Sequence, residues 1–334
     1  MRRLLFLLVF GTVIWSGYWF IGSSALRQGA EQWFADQSAQ GITAQKSTLV
    51  VRGFPNRFDL TVEGLRLADP TGETGWEAPF IQVFAMTWKP WHIIAALPPE
   101  QTIRLPDQEI SIASSGLMAS LRARPATDLP LAAVVVESGA VRALSSQGWT
   151  VGADKAVASA RAVDGQASAY DLALDVAGLA PDQAQMTVLT AETDLPATVS
   201  VIHLLARATL TAPLNRHAGE TQPQLAALDL TEAQLTWGPL SISANGGIAP
   251  DAAGFAAGRI DIDVTNWDRL VPVLVAAGAI KPELSQTVQN MLGALANEGG
   301  DPAILKLPLV FAAGRMSLGP LPLGPAPMLM APTG

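Results

Sequence analysis

Phe58-Asp59-Leu60-Thr61-Val62-Glu63 is the stretch that sets the fold class: Phe58, Leu60 and Val62 project to one side and Asp59, Thr61 and Glu63 to the other. That two-residue period is the mark of a half-buried strand. Gly64 then breaks the phase ahead of Leu65-Arg66-Leu67, as a β-bulge does. Residues Ser47 to Val51 precede it as an antiparallel partner, turned by Gly53-Phe54-Pro55-Asn56, and Phe80 to Trp88 supplies a third strand. Pro90-Trp91-His92-Ile93-Ile94 reads as a proline-initiated helical turn.

The alternation returns along the chain. Glu109 to Ala113 and Leu117 to Arg124 read as a hairpin about Ser114-Ser115-Gly116, and Ala132 to Val136 with Ala140 to Leu144 as another about Ser138-Gly139. Tyr170, Leu172, Leu174 and Val176 alternate with Asp171, Ala173 and Asp175. Further strands follow at Leu225 to Trp237, Leu240 to Ile248 and Gly258 to Val264, where Ile260, Ile262 and Val264 oppose Asp261 and Asp263. Asn266-Trp267-Asp268 caps a helix over Arg269 to Gly278, and Pro282-Glu283 opens a second that runs to about Asn297. Strands resume at Leu305 to Ala312 and Arg315 to Leu318, ahead of a proline-rich tail from Pro320 to Pro332. The 29 glycines and 24 prolines are spread throughout instead of gathered in a linker, which is the punctuation of an all-β chain. The expected fold is mainly β: an N-terminal transmembrane helix, then a large curved antiparallel sheet, as a groove or sandwich, with a short helical pair inserted at about 267–297.

Leu4 to Ile21 is an uncharged apolar run of 18 residues behind Arg2 and Arg3. As a helix it rises about 27 Å, close to the hydrocarbon thickness of a bilayer. The arginines hold the short end in the cytoplasm by the positive-inside rule, and Trp15, Tyr18, Trp19 and Phe20 suit an aromatic belt at headgroup level. The expected anchor residues are Leu4, Leu8, Trp15, Tyr18 and Trp19. Ser23 and Ala25 also resemble the small-residue pair of a cleavable signal peptide, but the length and aromatic content of the run favour a retained anchor. The domain reading is therefore an anchor over 1–25, a helical extension over 26–40 and a periplasmic β-rich domain over 41–334. In the extension, Leu26, Ala30, Trp33, Phe34 and Gln37 recur at helical spacing, either continuing the membrane helix into water or packing Trp33 and Phe34 on the domain that follows.

The formal net charge is −8, and the part beyond the two leading arginines is more acidic still. With no basic stripe to displace counterions, the chain is not a nucleic-acid binder. It has no cysteine, which excludes disulfides and thiolate metal sites. His92, His203 and His217 stand far apart, and the sequence has no HExxH, GxSxG, Ser-x-x-Lys, Walker or GxGxxG pattern. Asp261, Asp263 and Asp268 lack the glycine of a calcium loop, whose place is taken by Asn266, and read as a solvated strand face. No metal site, cofactor or catalytic residue is expected. Trp76, Trp88, Trp91, Trp149, Trp237 and Trp267 read as core anchors in preference to the lining of an acyl-chain site.

Gly53-Phe54-Pro55 with Phe58 to Val62, Trp76-Glu77-Ala78-Pro79, Trp88-Lys89-Pro90 and the closing Leu307-Pro308-Leu309, Gly314-Arg315-Met316 and Leu318 to Gly324 resemble the alphaproteobacterial domain-of-unknown-function family 2125. Leu235 to Leu240, Asn245-Gly246-Gly247 and Asp261 to Val264 are similar to the repeating strand-turn units of AsmA-like proteins. This resemblance implies an inner-membrane anchor and a periplasmic β groove, with a role in envelope lipid handling or outer-membrane homeostasis, and it carries no catalytic residues. The chain is far shorter than the bridging AsmA-like members.

The reading that follows is a non-enzymatic, single-pass inner-membrane protein with a periplasmic C-terminal domain and an apolar sheet face. Phe58, Leu60, Val62, Leu172, Leu174, Ile260 and Ile262 are the expected lipid-facing residues. The expected partners are the membrane bilayer and phospholipid or acyl chains. A scaffold that binds another envelope protein through its sheet edges and the 267–297 helices is the alternative. A hydrolase is disfavoured because no nucleophile has a base at workable spacing.

Overall fold

In the computed structural model residues 1–330 are described. The last positions of the proline-rich tail, and so the end of the domain read as 41–334, lie outside the described residues. The chain is 49% strand and 23% helix, with one large antiparallel sheet, an N-terminal apolar helix and short C-terminal helices. The mainly β expectation holds. The strands fall into two compact units: residues 1–125 with 136–149, and residues 126–135 with 150–334.

The first unit opens with helix α1 (Arg2–Ala39), one uninterrupted helix across what the sequence divides into anchor and extension. Its 38 residues rise about 57 Å. Beyond it come β1 (Thr43–Gln45), β2 (Thr48–Arg52), β3 (Arg57–Ala68) and β4 (Gly75–Met86). Next are β5 (Lys89–Ala96), β6 (Glu100–Leu105), β7 (Gln108–Ser114) and β8 (Met118–Ala123). Strand β9 (Leu131–Ser138) belongs to the second unit through residue 135, and β10 (Val141–Ser145) belongs to the first.

Strands β2 and β3 form the expected hairpin, with Val51 opposite Leu60 and Leu49 opposite Val62. At Gly64 the expected bulge is absent. Register against β4 is unbroken, Glu63 facing Phe80 and Leu65 facing Ala78, and both strands change phase together. The dry residues pass from Leu60 and Val62 to Leu65 on β3, and from Val83 and Ile81 to Ala78 and Trp76 on β4. Gly64 adopts φ 61°, and a Cβ there would meet the Ser47 hydroxyl at 2.7 Å.

Strand β4 then divides its partners: Gln82–Met86 pairs with β5, and Gly75–Glu77 with β6. This division explains three departures from the local reading. The helical turn expected at residues 90–94 is strand β5, because the edge of β4 on one side and β8 on the other complete its ladder. Neither expected hairpin forms: β7 pairs with β6 and β10, β8 with β5, and β9 with the strand Lys155–Ala162 of the second unit.

The second unit continues with β11 (Thr150–Ala153), β12 (Lys155–Ala162), β13 (Ala169–Leu179), helix α2 (Gln183–Thr190) and β14 (Val199–Leu210). A short turn of helix α3 (Ala218–Thr221) leads to β15 (Leu225–Trp237), β16 (Leu240–Pro250) and β17 (Ala256–Thr265). The helical interruption lies where the sequence places it, as α4 (Leu270–Ala276) and α5 (Ser285–Glu298), each entered through a single 3-10 turn. The chain closes with β18 (Ile304–Ala312), β19 (Arg315–Leu318) and β20 (Leu321–Pro325). From β12 to β20, leaving the helices aside, each strand pairs antiparallel with the next.

Candidate functional site

Antiparallel register turns the alternation of single strands into rows of side chains across the second unit. One row runs Leu172, Ala206, Leu230, Gly246, Ile260, Leu309 from β13 to β18. The neighbouring row runs Leu174, Leu204, Ala233, Ala244, Ile262, Leu307. Four residues expected on the apolar face, Leu172, Leu174, Ile260 and Ile262, thus occupy two adjacent rows, about 19 Å apart across four strand spacings. The rows are tall at β13 and β17 and low over β16, where Ala244 and Gly246 stand. Gly246 sits at φ 144°, and any Cβ there would strike the backbone of Arg259 and Ile260. A side chain cannot fill that strip.

Both ends of the face are covered. At one end Trp237, Leu240, Val264 and Leu305 pack under Met186 of α2, Val271 and Val273 of α4, and Leu292 and Ala296 of α5. The indoles there are anchored, Trp237 Nε1 donating to the Pro196 carbonyl at 2.7 Å and Trp267 Nε1 to the Pro302 carbonyl at 3.0 Å. Arg269 closes the α2 side by a two-pronged contact with Asp194, Nε to Oδ1 at 2.8 Å and Nη2 to Oδ2 at 3.1 Å. That guanidinium holds the Asp194 carboxyl below the usual range. At the other end Phe311, Ala256 and Ala326 form a second cluster with Phe255 and Leu329. Between the two clusters Leu172, Leu174, Leu204 and Leu230 belong to neither and are only half-buried.

The opposite face is polar. Arg207 pairs with Asp171 at 2.7 Å, His203 with Asp175 at 2.6 Å, and Arg259 with Asp261 at 2.7 Å. Asp261 is therefore a solvent-face partner of a neighbouring arginine. Among the described residues no three His, Asp or Glu side chains converge as a metal-binding set.

Of the expected lipid-facing residues, Ile262 packs against the helix-covered cluster and Ile260 against the second cluster, leaving Leu172 and Leu174 outside both. Phe58, Leu60 and Val62 have a different setting again. They are 7%, 9% and 4% exposed: Leu60 and Val62 share one cluster with Phe34, Leu49, Leu65 and Ala78, and Phe58 lies against Tyr18, Trp19 and Gly22 of α1. Trp19, Ser23, Leu26, Ala30 and Phe34 make the helix stripe that covers this side of the first unit. Gly22 admits the Phe58 ring against the helix, since a Cβ would stand 2.6 Å from it. An acyl chain at Phe58, Leu60 and Val62 is thus replaced by the protein's own helix, a correction to the expected lipid-facing set. Trp33 of the extension is exposed, and Lys46 bridges to Glu31 at 2.7 Å beside the Phe34 ring.

A cleft of about 710 Å³ in the first unit opens near the division of β4. Arg66, Glu77, Glu100, Thr102 and Arg142 line it. Arg66 and Arg104 share Glu77 at 3.1 and 3.4 Å, so mixed charges already neutralise one another there. Gln101 is buried with its Oε1 taken by the Trp76 indole at 2.9 Å. The rest of its wall is apolar, from Leu65, Ala78, Ile112, Ala113 and Leu144.

Helix α1 is long and apolar enough to cross a membrane, and Leu4 and Leu8 are 73% and 63% exposed. Trp15, Tyr18 and Trp19, expected to line a belt, each donate to a backbone carbonyl of the first unit. Trp15 Nε1 bonds the Pro55 carbonyl at 3.1 Å, the Tyr18 hydroxyl the Thr87 carbonyl at 2.8 Å, and Trp19 Nε1 the Arg57 carbonyl at 2.7 Å. Sequence reasoning had no access to these pairings. It also passed over β14, which contributes Leu204 and Ala206; their alternation with Ile202 and Ala208 is present, but Val201 and Leu205 on the other side obscure it.

Neither a curated protein nor a solved structure matches the chain. A family model described as "Uncharacterized protein conserved in bacteria (DUF2125)" matches residues 19–327, from the last turns of the apolar run to the closing strands. The chain belongs to this DUF2125 family.

Proposed function

We propose that this protein is a non-enzymatic, single-pass inner-membrane protein whose periplasmic β body handles envelope lipid, taking acyl chains along the apolar face of its second unit. The observation that carries this reading is the open stretch at Leu172, Leu174, Leu204 and Leu230, half-buried between two packed clusters. An apolar sheet face only partly covered is unfavourable in water, and its low strip over Ala244 and Gly246 matches the slender cross-section of a hydrocarbon chain. The apolar α1 and the two arginines ahead of it support the address. The resemblance of the strand-turn units at 235–264 to AsmA-like proteins, and the alphaproteobacterial resemblance, point the same way.

The test is photocrosslinking of the full chain, reconstituted in vesicles that carry a phospholipid with a photoactivatable acyl tail, followed by peptide mapping. Adducts on β13, β14 and β15 are expected in addition to those on α1. Adducts confined to α1 would remove lipid from the sheet and leave the partner-binding scaffold as the reading.

A further inference from the structure

The turns at 53–56 and 86–89 form one laced tip of the first unit. The Thr87 N–H and hydroxyl both donate to the Asn56 carbonyl at 3.1 Å, and the Asn56 and Arg57 N–H groups return to the Gly53 carbonyl at 3.1 and 2.8 Å. Phe54, Met86 and Trp88 project from this tip, 52%, 42% and 49% exposed. The Phe54 ring stands 5.4 Å from that of Trp19 and 5.7 Å from that of Phe20. The tip therefore lies alongside residues 15–20 of α1, inside the apolar run that ends at Ile21.

That level conflicts with a tip held in water. If the bilayer surface lay below Pro55, only Leu4 to Ile14 would remain to cross, a rise of about 16 Å against a hydrocarbon thickness of about 30 Å. We infer that the tip formed by residues 53–56 and 86–89 is immersed in the leaflet beside α1, with Phe54, Met86 and Trp88 in contact with lipid at headgroup and upper acyl level. The inference rests on the anchor half of the reading above and is independent of lipid on the second unit.

Backbone chemistry supports it. Carbonyls in lipid must find donors within the protein. Those of Gly53, Pro55, Asn56, Arg57 and Thr87 all accept hydrogen bonds, three of them from the Trp15, Tyr18 and Trp19 side chains of α1. Water would make such donors unnecessary. The charges agree too: Arg52 and Lys89 flank the tip and Arg122 of β8 faces His92 of β5, whereas Asp59, the nearby acid, is paired with Arg57 at 2.7 Å. In a chain of net charge −8, that local basic rim with outward aromatic rings suits anionic headgroups.

The chain has no cysteine, so single substitutions report cleanly. Full-length Asn56→Cys and Trp88→Cys, labelled with an environment-sensitive fluorophore in phosphatidylethanolamine and phosphatidylglycerol vesicles, are compared with Leu8→Cys in the anchor and Glu73→Cys. Glu73 sits in the turn at the opposite end of β3 and β4. Asn56→Cys leaves every ring of the tip in place. Blue-shifted emission and loss of intensity with a shallow spin-labelled lipid are expected at positions 56 and 88 and absent at 73. Water-like emission at 56 and 88 with quenching at 8 overturns the immersed tip and leaves the anchor standing. A water-like label at position 8 overturns the anchor, and the tip with it.

Discussion

The Trp19 indole donates to the Arg57 carbonyl at 2.7 Å while its ring lies 6.3 Å from that of Phe58, so one side chain of the apolar helix ties down the first residues of β3. Trp19→Phe keeps an aromatic ring, though a smaller one, and removes the donor. The Arg57 carbonyl then lacks its partner, at a cost of about 1 kcal/mol. Hydrogen exchange should show faster opening of residues 53–58, with the 69–74 turn unchanged.

Leu305 is fully buried below α5, whereas Leu174 is half-buried and outside either cluster. Leu305→Ala should therefore destabilise the second unit by about 2–5 kcal/mol, read as a lowered denaturant midpoint. Leu174→Ala should cost no more than about 1 kcal/mol yet reduce acyl photocrosslinking to β13. If both variants lose stability alike and crosslinking is unmoved, Leu174 is a core residue and no lipid contact.

Gly246 and Gly258 both have φ near 143°, and a Cβ on either would strike the backbone of the facing strand. Gly246→Ala should destabilise the pairing of β16 with β17 by about 1–3 kcal/mol. Gly29, on the exposed side of α1 with open space around it, should accept alanine without loss. Thermal unfolding of the two variants in one detergent is the comparison.

Asp194 and Asp182 both titrate below the usual carboxylate range, the first through the Arg269 guanidinium and the second through backbone N–H groups of Thr150, Gln185 and Ala184 at the start of α2. A depressed folded-state pKa contributes stability that is complete above the ordinary carboxylate value near 4 and is lost as pH falls through the folded value. The melting temperature should be insensitive to these groups between about pH 5 and 8 and should fall under acid conditions. Asp194→Asn should lower stability at neutral pH and flatten part of that acid decline. An unchanged acid limb would show that the contact with Arg269 contributes nothing to it.

Strands with one dry side were the most legible feature of the chain. The Tyr170 to Val176 alternation, and that of Ile260, Ile262 and Val264, each identified a strand and the side it buries. The helices at 270–298 were equally plain, with Pro282 at the start of the second, although the expected side-chain cap at Asn266 is not made: Asn266 sits at φ 56° and its Nδ2 donates to the Pro239 carbonyl. Pairing was less legible wherever it depended on distant strands. Ser114-Ser115-Gly116 resembles a hairpin turn, yet the division of β4 gives β7 and β8 different neighbours. For the candidate site, periodicity placed Leu172, Leu174, Ile260 and Ile262 on one face but could not distinguish an open face from one roofed by helix. Phe58, Leu60 and Val62 have the same pattern, and α1 covers them.

Helix α1 runs from Arg2 to Ala39 as one unbroken α-helix, and its second half is glued to β1, β2 and β3. No swivel separates the buoyant end from the ribbons it carries. A membrane that thickens or thins changes the lean of such a rod, and the first unit must pitch with it like a flag on its pole. On the anchored reading proposed above, a change in bilayer thickness would therefore tilt helix and strands together.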